Sequence, residues 1–187
     1  MTKPTRDRMI DAAVDALRKQ GLAGMSFTEV LAASGAARGA IYHHFPGGKA
    51  ELVAEAARLH GHEVADRLAD LSGAGPRAVV EAFLAMARPV VEDSVTGCGC
   101  AIAAVTVSPG TEGDELRAIA ATTFATWAHH LTAALVTAGM SPEAAGDLAQ
   151  LLIALLEGAQ VLCRAAADPE PFERAARAAL AAVPHPE

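Results

Sequence analysis

The chain has 187 residues, is 52% hydrophobic but only 4% aromatic, and carries a net charge of −7. The apolar fraction excludes a disordered chain, and the acidic total excludes a protein that coats nucleic acid along its whole length. Much of the hydrophobic count is alanine, the strongest helix former, and β-branched runs are few, so an all-α fold is expected. The N-terminus lacks the apolar core of a signal peptide, and no apolar run approaches membrane-spanning length, so a cytoplasmic protein without membrane contact is expected. Three cysteines, an odd number, do not suggest a disulfide framework.

Apolar spacing predicts a first helix over residues 6–20, with Met9, Ile10, Ala13 and Leu17 on one stripe and charges opposite. Gly21 then terminates it. Ser26 opens a second helix, with Glu29 three residues on at capping-box spacing, and Gly35 closes it. A third helix is expected over 38–44, with Ile41 and Phe45 facing inward and Pro46 ending it. Two short helices joined by a glycine-containing turn of about four residues, behind a longer helix, have helix-turn-helix spacing. The same spacing also suits a plain three-helix packing unit.

Gly47-Gly48 precede a long helix over 49–71. "SGAGP" breaks the chain at 72–76, and Pro76 suits the first position of a fifth helix running to 93. "AIAAVTV" at 101–107 fits a strand or a short helix, and the all-α context selects helix. Residues 108–113 read as a loop. Long helices follow over 114–138 and 142–166, and a last one after Asp168-Pro169 runs to 183. The total is about nine. Charge is unevenly spread: residues 1–52 hold seven Lys/Arg against five Asp/Glu, a net +2, and the remainder eight against seventeen, a net −9. A basic front on an acidic body points to polyanion contact at the front alone.

"SFTEVLAASGAARGAIYHHFPGGKAEL" resembles the N-terminal DNA-binding domain of the TetR family of transcriptional regulators, over residues 6–53. The run Tyr42-His43-His44-Phe45-Pro46, with Lys49 and Leu52, is its specific part. "GCGCAIAAVTVSP" is similar to a segment of a TetR subgroup that includes lincomycin- and flavonoid-responsive repressors. The resemblance implies an N-terminal three-helix DNA-binding domain (1–52), a helical ligand-binding and dimerisation domain (53–187), and a repressor released from operator DNA by a small apolar effector. It makes the third helix the recognition helix, with Ala37, Arg38, Gly39 and Ala40 small or basic where it enters the major groove. Tyr42 and His43 are then phosphate donors, as is Lys49 with the N–H groups opening the fourth helix. Ser26, Thr28 and Arg6 are further phosphate candidates. Arg38 has two roles open, guanine reading and a phosphate contact. Ala40 stands where the family commonly has threonine, and Gly47-Gly48 replaces its usual polar cap.

The family pairs its last two helices into a homodimer, which here implies Leu148, Leu151, Leu152, Leu155, Leu162, Phe172, Ala176 and Leu180 at the interface. A bundle core within one chain is the other reading of those residues. An effector pocket among the middle helices implies Met86, Val90, Cys98, Cys100, Ile102, Phe124, Trp127 and His130, each equally suited to ordinary core. Cys98-x-Cys100 is half a tetrahedral metal site, and His60 and His62 point to different sides of a helix, so neither metal nor cofactor is expected. Metal or thiol sensing is kept as an alternative. No nucleophile elbow or phosphate-binding glycine loop supports an enzyme. The rival from another class is an all-α ligand-binding or interaction protein that does not bind DNA.

Overall fold

The computed structural model describes residues 3–106 and 110–183, the side chains of 110–113 apart. Among these residues every regular element is a helix: α1 Thr5–Gly24, α2 Phe27–Ser34, α3 Ala40–His44, α4 Gly48–Ala69, α5 Pro76–Val95, α6 Ala101–Val105, α7 Gly110–Thr137, α8 Pro142–Ala166 and α9 Glu170–Ala182. The all-α expectation and the helix number hold.

The boundaries differ in physically readable ways. Gly21 interrupts α1 with φ 68 and ψ 178, so the helix proper stops where expected and a further turn follows. α3 starts two residues later than expected, because Gly39 offers no capping side chain. α7 starts earlier than expected, at Gly110, whereas residues 108 and 109 of the expected loop lie outside the described residues.

Contacts divide the chain into two compact units. The first is Met1–Glu63 with Gly99–Thr123, and the second is Val64–Cys98 with Phe124–Glu187. The expected division at residue 52 falls inside α4, which contributes to both.

In the first unit the α1 stripe of Met9, Ile10, Ala13 and Leu17 is buried, as are Val30, Leu31, Ile41, Phe45, Leu52 and Val53. Each large side chain so placed contributes roughly 1.5–3 kcal/mol. α6 packs on α1, with Ala101, Ile102 and Val105 buried. The Gly99 N–H donates to the Arg18 carbonyl at 2.7 Å, which anchors the entry to α6.

In the second unit α5 packs on α8 and α9. Val79, Val80, Phe83 and Val91 are fully buried, with Leu152, Cys163 and Phe172. Arg77 donates to the Leu180 carbonyl, and Arg88 pairs with Glu173 beneath the Phe172 ring, so α5 and α9 run antiparallel. By length and composition alone α8 could cross a membrane, but Leu148, Leu152, Ile153 and Leu156 on it are core residues.

Candidate nucleic-acid interface

Local sequence sets the interface geometry. Ser26 caps α2: its Oγ accepts from the Glu29 N–H at 3.2 Å and donates to the Glu29 carboxylate at 3.1 Å. Gly35 ends α2 with φ 65, a left-handed conformation that costs most residues but not glycine. Its N–H reaches the Ala32 carbonyl, and that of Ala36 reaches the Leu31 carbonyl. This turns the chain sharply into residues 36–39 and α3. From α1, Arg8 donates through Nε to the Ser34 carbonyl at 2.9 Å, so a cation sits on the negative end of α2.

Ile41 and Phe45 hold α3 down, being 2% and 0% exposed. The opposite side is open. Ala37, Arg38, Gly39, Tyr42 and His43 are exposed, Tyr42 to 67%, and Thr28 at the start of α2 is exposed too. Gly39 has an ordinary φ of −74, and a Cβ placed on it would meet nothing within 4 Å. No contact within the protein therefore requires glycine there.

Two cations expected to face outward are engaged inside the unit. Lys49 donates to the carbonyls of Leu22 at 3.2 Å and Met25 at 2.7 Å, tying the end of α1 to the start of α4. These carbonyls follow the Gly21 break and lack helical partners, so the ammonium satisfies them. Arg6 pairs with Glu55 at 2.8 Å and lies 5.1 Å from the Phe45 ring centre. The Arg6 hydrogen bond holds the Glu55 carboxyl below its usual range. The start of α4 also differs from an open anion site, because Glu51 accepts from the Gly47 N–H at 2.7 Å.

An outward short helix carrying a tyrosine, preceded by a turn with an exposed arginine and buttressed by two other helices, has the form of a major-groove reader. Residues 9–56 match the profile described as "Bacterial regulatory proteins, tetR family", and residues 76–178 match "Transcriptional regulator LmrA/YxaF-like, C-terminal domain". The chain belongs to the TetR family.

This TetR-family regulator is 34% identical over 173 residues to an uncharacterised HTH-type transcriptional regulator of Mycobacterium tuberculosis, covering 90% of this chain and 88% of that one. It is 25% identical to the HTH-type transcriptional regulator LmrA of Bacillus subtilis, covering 90% of each. Among solved structures, a TetR regulator from Legionella pneumophila superposes with a TM-score of 0.83 at 21% identity, over 98% of this chain and 99% of that one. The chain is thus a DNA-binding helix-turn-helix transcriptional regulator, and its family binds operator DNA as dimers.

Of the implied pocket residues, Cys100 and Ile102 fall in the first unit and the other six in the second. Trp127 is 2% exposed and meets Phe124 edge to face at 5.3 Å. His130 lines a cavity of about 310 Å³ with Leu71, Ser72, Gly73 and Thr137. Met86 and Val90 are half-buried on α5. Among the described residues no group of three or more His, Cys, Asp or Glu is placed to hold a metal ion.

Of the implied dimer residues, Leu148, Leu152, Phe172 and Ala176 are buried within the subunit. Leu151 and Leu162 stay 50% and 59% exposed, and Leu155 and Leu180 are half-buried. α8 has two apolar faces, one on α5 and one left open. Leu151, Ala154, Leu155, Gly158 and Leu162 line the open one, a groove of about 490 Å³ continued by Ala175 and Ala178 of α9. The sequence reading missed Arg8, Glu55 and Gln160. Gln160 left a visible signal, an amide within an otherwise apolar helix segment.

Proposed function

We propose that this regulator is a cytoplasmic, homodimeric repressor that a small, largely apolar effector releases from operator DNA. Residues 1–52 read DNA, and residues 53–187 hold the effector and the partner subunit. The observation that carries DNA reading is the open side of α3 and of the turn before it, where Arg38, Gly39 and Tyr42 stand clear above a buried Ile41 and Phe45. The open α8 face supports the dimer. Four residues spaced 151, 155, 158 and 162 form a stripe that water would otherwise cover, and Gly158 and Ala154 allow close helix approach. Two recognition helices in successive major grooves sit about 34–36 Å apart.

Trp127 is the natural reporter of effector binding. Binding of effector and of DNA must be coupled reciprocally, typically by about 1–3 kcal/mol. The deciding experiment is a gel shift on DNA upstream of the protein's own gene, with and without effectors that change Trp127 fluorescence. Specific binding weakened by such molecules is the expected result. An effector that alters Trp127 yet leaves DNA affinity unchanged would overturn the switch.

A further inference from the structure

Gln160 is 3% exposed, on the flank of α8 that faces the interior of the second unit. Its Nε2 makes only a 3.4 Å contact to the Leu156 carbonyl, which is already an intrahelical acceptor. Its Oε1 is covered from solvent and accepts no hydrogen bond. Folding alone does not explain this. A buried amide oxygen left without a donor is costly, and methionine would fill the same volume without that cost. Leu156 and Cys163 beside it on the helix are buried.

Arg164 donates to the Cys98 carbonyl at 3.0 Å, which brings the last turn of α8 level with the end of α5. α5 is antiparallel to α9, and α9 to α8, so α5 and α8 run parallel. Ser94, in the last turn of α5, belongs to the same unit as Gln160. Ser94 is fully buried and gives its proton to the Val91 carbonyl at 2.6 Å, leaving its Oγ lone pairs as acceptors.

We infer that Gln160 is the polar anchor of the effector site, and that the effector is an apolar molecule presenting a hydroxyl or amine hydrogen to its Oε1. This rests on the effector reading above and gives it a chemical class. A donor seated there satisfies the amide oxygen in a water-poor setting, whereas a ligand of equal size without one leaves it unpaired. Discrimination follows from that difference.

The test uses the full-length protein without DNA and two matched probes, 4-phenylphenol and its methyl ether 4-methoxybiphenyl. Affinities are read by Trp127 fluorescence and by the rise in melting temperature. Wild type should bind the phenol about 3- to 10-fold more tightly than the ether, the yield of one neutral hydrogen bond. Gln160→Met, with Gln160→Leu as a second apolar variant, should bind both probes alike and melt no lower than wild type when no probe is present. Equal binding of the two probes by wild type, binding of neither, or an apolar variant that keeps the preference would each overturn the inference. So would a large loss of stability in both variants, which would make the amide a fold contact. A probe that releases DNA equally from wild type and Gln160→Met would overturn this inference and leave the repressor reading standing. A probe that depends on Gln160 yet leaves DNA bound would do the reverse.

Discussion

Lys49 donates to the Met25 carbonyl at 2.7 Å, so the lysine of the family motif fastens the α1–α2 connection to α4. Its second bond, to Leu22, leaves one ammonium hydrogen for other use. Lys49→Met should therefore lower stability, by about 1–3 kcal/mol for charge-assisted bonds to a part-buried turn, read by thermal melting. The slope of log affinity against log salt should stay unchanged in a DNA titration. A slope smaller by about 0.9 would return Lys49 to a phosphate contact.

Gly39→Ala separates fold from function. The position has an ordinary φ and open space around a would-be Cβ, so the variant should melt at or slightly above the wild-type temperature. Operator affinity should fall, because the added methyl stands where the groove floor approaches. Unchanged affinity in a gel shift would show that α3 does not approach so closely.

Arg38 is exposed and forms no part of the core. Arg38→Ala should relax sequence preference by roughly 1–3 kcal/mol at one base pair, read by selection from a randomised operator pool. Identical profiles for variant and wild type would assign Arg38 to the phosphate backbone.

The Arg6–Glu55 pair makes the first unit acid-sensitive. Arg6 lowers the Glu55 pKa from its ordinary value of about 4.5. A carboxyl whose folded pKa is depressed contributes stability above its unfolded pKa, and loses it as pH falls through the folded value. Glu55→Gln should thus melt below wild type near neutrality, and the gap should close as pH falls below about 4.5. The pair is about a third exposed, so the gap is small and shrinks in high salt. A gap that widens in acid would contradict the assignment.

Neighbouring leucines on α8 should behave oppositely. Leu152 is fully buried, and Leu152→Ala should cost about 2–5 kcal/mol of stability. Leu151 and Leu162 line the open groove. The double variant Leu151→Lys with Leu162→Lys should keep its helical circular dichroism, sediment as a monomer at micromolar concentration and lose specific DNA binding. A dimer that survives both charges would place the partner elsewhere.

Sequence by itself determined the helix inventory, because alanine content, glycine and proline stops, and the Ser26–Glu29 cap act within a few residues of where they stand. It also determined the inward set of α1 and α3, since a helix of known period shows which side chains share a stripe. Tertiary structure decided which groups each cation and each apolar stripe meets within the subunit. Arg6 and Lys49 look like phosphate ligands in a basic stretch, but their partners, Glu55 and the Leu22 and Met25 carbonyls, lie 24 to 49 residues away in the chain. Likewise, periodicity grouped Leu148, Leu151, Leu152 and Leu155 together, and only the packing of α5 against α8 separated core from open face. A helix apolar over most of its circumference carries no mark of which side its own chain will cover. That choice depends on contacts distant in sequence, which local spacing does not encode.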